Sequence, residues 1–170
     1  MDIFIEQIVK KKIGSKDIFI YIAVLLGIGI ILSLIAAMIP MLLLPVLVGL
    51  IAAAYFIFTS RSIEYEYSVT NSDITIDKII SRRKRKSVLS VDAHDIEYFA
   101  KYRAKDQHAK SYSQRIDASD NEKGENTWCF VARHPQKGNV LVLFSPNEKV
   151  LTAIKPFLTR QVALDAFGRN

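Results

Sequence analysis

From residue 18 to residue 58 the chain runs for 41 positions without an Asp, Glu, Lys, Arg or His. Every charged side chain lies outside that stretch. A helix crosses the roughly 30 Å hydrocarbon core of a bilayer with about 20 apolar residues. At 1.5 Å per residue, one helix through the whole stretch would be about 61 Å long, twice what a single crossing uses. Pro40 sits near the middle, between Ile39 and Met41, and Pro45 follows. Proline removes an amide donor and disfavours helix at the residue before it. The stretch therefore reads as two transmembrane helices, 17–39 and 42–59, with a short uncharged turn near Pro40. This pattern excludes an ordinary soluble globule, a disordered tail and a secreted disulfide framework. Its length also exceeds the apolar region of about 7–15 residues in a cleaved signal peptide.

The flanks orient the hairpin. Lys10, Lys11, Lys12 and Lys16 precede the first span, and Arg61 follows the second. Two spans return the chain to the side it left, and the positive-inside rule makes that side the cytoplasm. The expectation is a multi-pass cell-membrane protein, integral in the lipid bilayer, with both termini cytoplasmic.

Small residues recur every fourth position in each span. Gly29, Ser33 and Ala37 share one face of the first, and Gly49 and Ala53 share one face of the second. Small faces let helices approach closely in lipid. In an antiparallel register centred near Met41, Ser33 faces Gly49 and Gly29 faces Ala53, which predicts packing through these residues. Residues 1–16 read as a separate amphipathic, basic segment. Phe4, Ile5, Ile8 and Val9 fall on one helical face, which suits a helix lying in the membrane interface; a plain charged lead-in is the alternative. Gly14 and Ser15 break it, and Ser15 or Asp17 can cap the first span.

The formal net charge is +6 and the pI is about 9.4. Five basic residues are contiguous: Arg82, Arg83, Lys84, Arg85 and Lys86. Without them, basic and acidic residues balance beyond the second span. A nucleic-acid surface would carry a second basic stripe or interleaved aromatics, and neither is present. The run is instead a candidate contact for anionic lipid near the membrane, or a solvated turn that only helps set topology. Cys129 is the single cysteine, so an intramolecular disulfide and a thiolate zinc site are excluded. Its neighbours Trp128 and Phe130 predict that it is buried.

After Arg61 the apolar period changes to two. Ile63, Tyr65, Tyr67 and Val69 alternate with Glu64, Glu66, Ser68 and Thr70. Asn71-Ser72 offers a turn into a second strand, 73–80, and the basic run follows it. Further strands are expected over 87–92, 96–102 and 112–118, then 127–133 and 140–144. Ser145-Pro146-Asn147-Glu148 reads as a helix start with Ser145 as cap. Leu151, Ile154, Phe157 and Leu158 would form its apolar face, and Pro156 would kink it. The fold class is α+β: a transmembrane helical hairpin, then residues 61–170 as six or seven antiparallel strands with a C-terminal helix. Tyr65, Tyr67, Tyr98, Phe99 and Trp128 are expected in the core.

No motif for catalysis or for a cofactor is present. There is no glycine-rich phosphate loop, no HExxH and no GxSxG. Asp92, His94 and Asp95 do not have a metal-ligand spacing and read as a polar turn. His108 and His134 are expected to be exposed. No enzyme activity, cofactor or metal is therefore expected.

The stretch Tyr67-Ser-Val-Thr-Asn-Ser-Asp-Ile-Thr-Ile-Asp77, with the basic turn and Val88-Leu-Ser-Val91 after it, resembles the opening strands of bacterial pleckstrin-homology-like (PH-like) domains. The chain as a whole is similar to a family of small two-span bacterial membrane proteins of unknown function. Three segments carry that likeness: Met1-Asp-Ile-Phe-Ile-Glu-Gln-Ile-Val-Lys-Lys-Lys12, Asp77-Lys-Ile-Ile-Ser-Arg-Arg-Lys-Arg-Lys86 and Phe144-Ser-Pro-Asn-Glu148. The resemblance implies a PH-like cytoplasmic domain and no particular reaction. Phosphoinositide-binding members of the wider fold class carry basic residues at the first hairpin turn. Here that turn is Asn71-Ser72, and the basic cluster lies one turn later. The role expected is a membrane-anchored, non-enzymatic adaptor that binds a protein partner or anionic lipid. The alternative is an accessory subunit acting through its hairpin in a larger membrane complex.

Overall fold

The computed structural model describes residues 3–103, 112–121 and 126–168. His108 and the loop residues 122–125 lie outside the described residues. The chain opens with a strand, β1 (Phe4–Lys10), and then enters two long helices, α1 (Ser15–Met38) and α2 (Leu43–Ser60). A 3₁₀ turn at Pro40–Leu42 joins them, and Pro45 lies in the first turn of α2, where its missing amide costs little. Gly14 caps α1, and its amide donates to Asp17 Oδ2 at 3.2 Å, so Asp17 closes the first turn without being the cap. α1, and α2 together with its 3₁₀ turn (Pro40–Ser60), are long and apolar enough to cross a membrane.

The segment before α1 is not an amphipathic helix. β1 pairs antiparallel with β2 (Ile63–Thr70) through seven consecutive residue pairs, from Phe4 with Thr70 to Lys10 with Glu64. Ile5, Gln7 and Val9 lie opposite Val69, Tyr67 and Tyr65, which are core residues, so the segment's inward face has period two. Phe4 and Ile8 are exposed on the other face. The helical hairpin is thus an insertion between two neighbouring strands. Phe4–Lys10 belongs to the same sheet as residues 63–92.

β3 (Asp73–Ile80) and β4 (Lys84–Asp92) complete an antiparallel sheet of order β1-β2-β3-β4. A second sheet has the order β5-β7-β8-β6. It is built from β5 (Ile96–Lys101), β6 (Gln114–Asp117), β7 (Trp128–His134) and β8 (Gly138–Phe144). The β6–β8 pair is parallel, the one exception to antiparallel pairing among the described strands. The chain therefore has eight described strands where seven at most were expected, and the additional strand is β1.

The core lies between the two sheets. Tyr65, Tyr67, Val69, Ile74 and Ile76 come from the first, and Phe99, Phe130, Val140, Val142 and Phe144 from the second. Phe99, Phe130 and Phe144 pack mutually with ring centroids 5.3 to 6.4 Å apart, a spacing at which offset and edge-to-face pairs add to simple burial. Cys129 is buried on the other face of the second sheet, with Val131, Leu141 and Leu143.

The C-terminal helix is divided by Pro156 into α3 (Glu148–Ile154), a 3₁₀ turn and α4 (Arg160–Phe167). Its cap is Asn147 and not Ser145: Asn147 Oδ1 accepts from the Val150 amide at 2.9 Å. Ser145 is turned to another use, its hydroxyl donating to Asp120 Oδ1 at 2.6 Å. Phe167 brings α4 onto Phe99 and Trp128.

The two long helices do not meet through their small residues. Gly29, Ser33, Ala37, Gly49 and Ala53 are all exposed. A Cβ placed on Gly29 or Gly49 would meet nothing within 4 Å outside its own helix backbone. The half-buried stripe is Tyr21, Val24, Ile28, Leu32 and Ile35 on α1, and Leu43, Leu47, Leu50, Ala54 and Phe58 on α2. Tyr21 and Phe58 meet edge to face at 4.8 Å, and Arg61 pairs with Asp17 at 2.7 Å just beneath them. These two contacts at the open end fix the helix rotation and turn the small faces outward.

The register gives a direct test of the insertion. Beyond the Lys10–Glu64 pair, the Lys11 amide donates to the Ile63 carbonyl at 3.0 Å. Replacing residues 12–62 by Asn-Gly leaves a two-residue hairpin loop in that register. The product is expected to be a soluble, monomeric domain with a cooperative melt and intact near-ultraviolet circular dichroism. An aggregated or non-cooperative product would mean that β1 does not pair with β2.

Candidate membrane-facing site

The end of the first sheet that meets the helices is defined by three chain segments. α2 finishes at Ser60, and β2 begins three residues later at Ile63. Ile63 pairs with Ile80, the last residue of β3, so the turn from β3 to β4 sits beside the end of α2. Ser81 joins the two. Its amide donates to the Ser62 carbonyl at 2.9 Å, and its hydroxyl donates to the Thr59 carbonyl at 2.7 Å. Ser81 and Arg82 both adopt left-handed backbone conformations, with φ of 54° and 56°. Such a conformation costs a non-glycine residue about 1–2 kcal/mol. The bonds of Ser81 to the helix end hold the turn in it.

This turn carries the start of the basic run, and the five residues do not act alike. Arg82 Nε lies 3.2 Å from Glu64 Oε1. Arg85 pairs with Glu66, which is buried, and its Nε is 3.9 Å from Asp77. These two arginines hold down acids on the outer face of the sheet. Arg83, Lys84 and Lys86 are exposed and have no ion pair among the described residues. Lys84 and Lys86 also begin β4, an edge strand, where lysine discourages pairing with another sheet. A patch of five in the sequence is therefore three available cations in the fold.

The other hairpin flank lies at the same end. Lys11 Nζ is 3.4 Å from Asp117, and Lys12 Nζ is 3.0 Å from Asp120. The Lys12 amide donates to the Asp120 carbonyl at 2.8 Å. Burial opposes ionisation of Asp120, but the Ser145 hydroxyl, the Lys12 ammonium and the Asn121 amide outweigh it and hold the carboxyl below its ordinary range. Ser145 passes the connection inward, its amide donating to the Tyr67 hydroxyl at 3.1 Å, which donates to the Ala118 carbonyl at 2.6 Å. Burial pushes the Tyr67 phenol well above its usual range. A cleft of about 810 Å³ opens between this flank and the base of the helices.

These elements match a family description. The model of a family described as Bacterial PH-like domain (DUF6106) matches residues 1–164. The chain belongs to this bacterial PH-like family. The matched residues take in β1, the helical hairpin and both sheets, so the insertion lies within the family's unit. No curated protein and no solved structure matches the chain.

In this PH-like domain, residues 92–95 form a capped 3₁₀ turn. Asp92 Oδ1 accepts from the His94 amide at 2.8 Å and lies 2.6 Å from His94 Nδ1. The His94 amide is the main cause that lowers the Asp92 carboxyl below its ordinary range. Among the described residues, no group of three His, Cys, Asp or Glu could hold a metal ion. The basic run and the hairpin flanks were visible in the sequence. Ser81, Asp117 and Asp120 were not, because what distinguishes them is a partner far away in the chain.

Two measurements separate the structural charges from the available ones. Arg85→Gln leaves buried Glu66 without its cation and is expected to cost about 1 kcal/mol. Lys86→Gln is expected to stay within about 0.5 kcal/mol of the parent. Chemical denaturation in neutral detergent reads both, and equal effects would refute the division. Asp120 should also make stability depend on pH. A carboxyl whose pKa falls on folding contributes fully above its unfolded value and loses that contribution as pH drops through the folded value. Melts between pH 7 and 3 should accordingly decline less steeply for Asp120→Asn than for the parent, from a lower starting stability.

Proposed function

We propose that the chain is an integral, non-enzymatic membrane protein whose helical hairpin spans the bilayer and anchors a PH-like domain at the cytoplasmic face. The domain is an adaptor that binds anionic lipid or a protein partner. The observation that carries this reading is the pair of Ser81 hydrogen bonds to Thr59 and Ser62, which puts the basic turn against the end of α2. If α2 crosses the membrane, Arg83, Lys84 and Lys86 stand at the headgroup level. Each cation there gains about 1 kcal/mol from an anionic leaflet. The pairing of β1 with β2 supports a same-side exit and re-entry, and the basic flanks support a cytoplasmic side.

A second reading, an accessory subunit that works through the hairpin, is favoured by the outward-facing small residues Gly29, Ser33, Ala37, Gly49 and Ala53. Affinity capture from mild detergent separates the two readings. A partner that requires the PH-like domain favours the adaptor, whereas one retained by the hairpin alone favours the accessory subunit.

Lipid docking is tested by hydrogen exchange of the full chain in nanodiscs. Amides of residues 81–86 are expected to exchange more slowly in phosphatidylglycerol discs than in phosphatidylcholine discs. The difference should shrink in about 0.5 M salt, where the Debye length falls below about 5 Å. Combined Arg83→Gln, Lys84→Gln and Lys86→Gln should abolish it. Exchange indifferent to lipid charge and salt would sink the lipid half of the proposal.

A further inference from the structure

The cleft of about 810 Å³ at the hairpin base has two unlike walls. One part of its lining is cationic, Lys10 at the end of β1 and Lys16 in the first turn of α1, and another is apolar, Ile13 in the link between them with Tyr21 and Phe58 on the helices. The charges within it are unevenly matched. Asp17 is taken by Arg61, Asp117 by Lys11 and Asp120 by Lys12. Lys10 and Lys16 line the same cleft, are exposed, and have no ion pair among the described residues. Every acid of the cleft is thus neutralised, and two cations are left over. Two lysines without a partner acid on the lining of one space suit a ligand that carries negative charge.

The position of the cleft narrows the ligand further. Tyr21 lies in the second turn of α1 and Phe58 in the last turn of α2, near where an apolar segment meets the polar domain. Aromatic side chains at such a boundary sit at headgroup depth. A ligand filling the space must therefore be anionic toward Lys10 and Lys16 and apolar toward Tyr21 and Phe58. An anionic glycerophospholipid has that polarity along its length: a phosphodiester, then glycerol, then acyl chains that can follow the outer surface of the helices.

We infer that this cleft binds one anionic glycerophospholipid, with the phosphodiester between Lys10 and Lys16 and the glycerol–acyl region against Ile13, Tyr21 and Phe58. The inference rests on the reading that the helices span a membrane, and it adds a discrete site to the diffuse attraction of the Arg83, Lys84 and Lys86 surface. The site differs from that surface in kind. It holds one lipid at defined stoichiometry, and its occupancy ties β1 to α1.

The test is native mass spectrometry of the full chain, purified in neutral detergent and titrated with dioleoylphosphatidylglycerol. The parent is expected to bind one lipid saturably, and dioleoylphosphatidylcholine not to. Lys10→Gln with Lys16→Gln should weaken that binding by about thirtyfold. Lys10→Arg with Lys16→Arg should retain it, which separates lost charge from a damaged fold. The Arg83→Gln, Lys84→Gln, Lys86→Gln variant should also retain it, which separates the cleft from the exposed run. Inorganic phosphate at millimolar concentration should not displace the lipid, because phosphate offers nothing to the apolar wall. The inference is overturned by unchanged binding in the double glutamine variant, by loss in the double arginine variant, by loss only in the exposed-run variant, or by displacement with phosphate. Resistance of the full chain to alkaline extraction from membranes tests the spanning premise separately.

Discussion

The antiparallel ladder between β1 and β2 is the constraint on which the other features depend. Its seven pairs join residues separated in sequence by the whole helical hairpin. The ladder supplies a fourth strand to the first sheet and brings Gln7 to Ser145 and Asn147, so the first strand also grips the start of the C-terminal helices. It fixes both ends of the hairpin side by side at one edge of the domain. Once they are fixed there, the β3–β4 turn, the Lys11–Lys12 flank and the Asp117–Asp120 segment converge on the helix base. The candidate site is a consequence of this pairing more than of any local motif.

Charge at that end is divided between holding the fold and facing outward. Arg82, Arg85, Lys11, Lys12 and Arg61 each meet an acid, and those acids come from α1, β2, β3, β6 and the segment after it. Such partly exposed pairs contribute little individually. They matter here by orienting five elements around the base of the helices. Lys10, Lys16, Arg83, Lys84 and Lys86 are left to interact with whatever lies beyond the domain. The net positive charge of the chain is thus concentrated where an anionic surface would meet it.

Much of the fold was legible in local pattern. The period-two stretch 63–70, the turn at Asn71-Ser72 and the strand 73–80 were readable because one face of each strand is buried and the other is not. The two long helices and their break at Pro40 were equally plain. The first strand was misread for a physical reason. Phe4, Ile5, Ile8 and Val9 satisfy a helical spacing, while the face that is buried consists of Ile5, Gln7 and Val9. Gln7 is an inward position because its amide bonds to backbone groups from the far end of the chain, which no local window contains. Ser145 was misread as a cap for a similar reason, since Asp120 and Tyr67 claim its hydroxyl and amide first. The small residues of each helix share a face, as their spacing requires, but that face points outward. Their contact was not predictable, because Tyr21–Phe58 and Asp17–Arg61 set the rotation from the base.

The insertion succeeds because the path out and the path back are nearly equal. α1 has 24 residues and rises about 36 Å. α2 has 18 residues and returns about 27 Å, and the three-residue 3₁₀ turn adds about 6 Å. The two ends therefore come back to almost the same level, which is what a β-ladder in fixed register demands of any loop that closes it. A flexible insertion of this length would leave its ends free, and ordering β1 against β2 would have to overcome the entropy of closing that loop. Two packed helices with an ion pair across their base restrict that freedom. A hairpin long enough to cross a bilayer is for the same reason a suitable closure for the first sheet, so that formation of the helical hairpin and completion of the PH-like domain are coupled through one geometry.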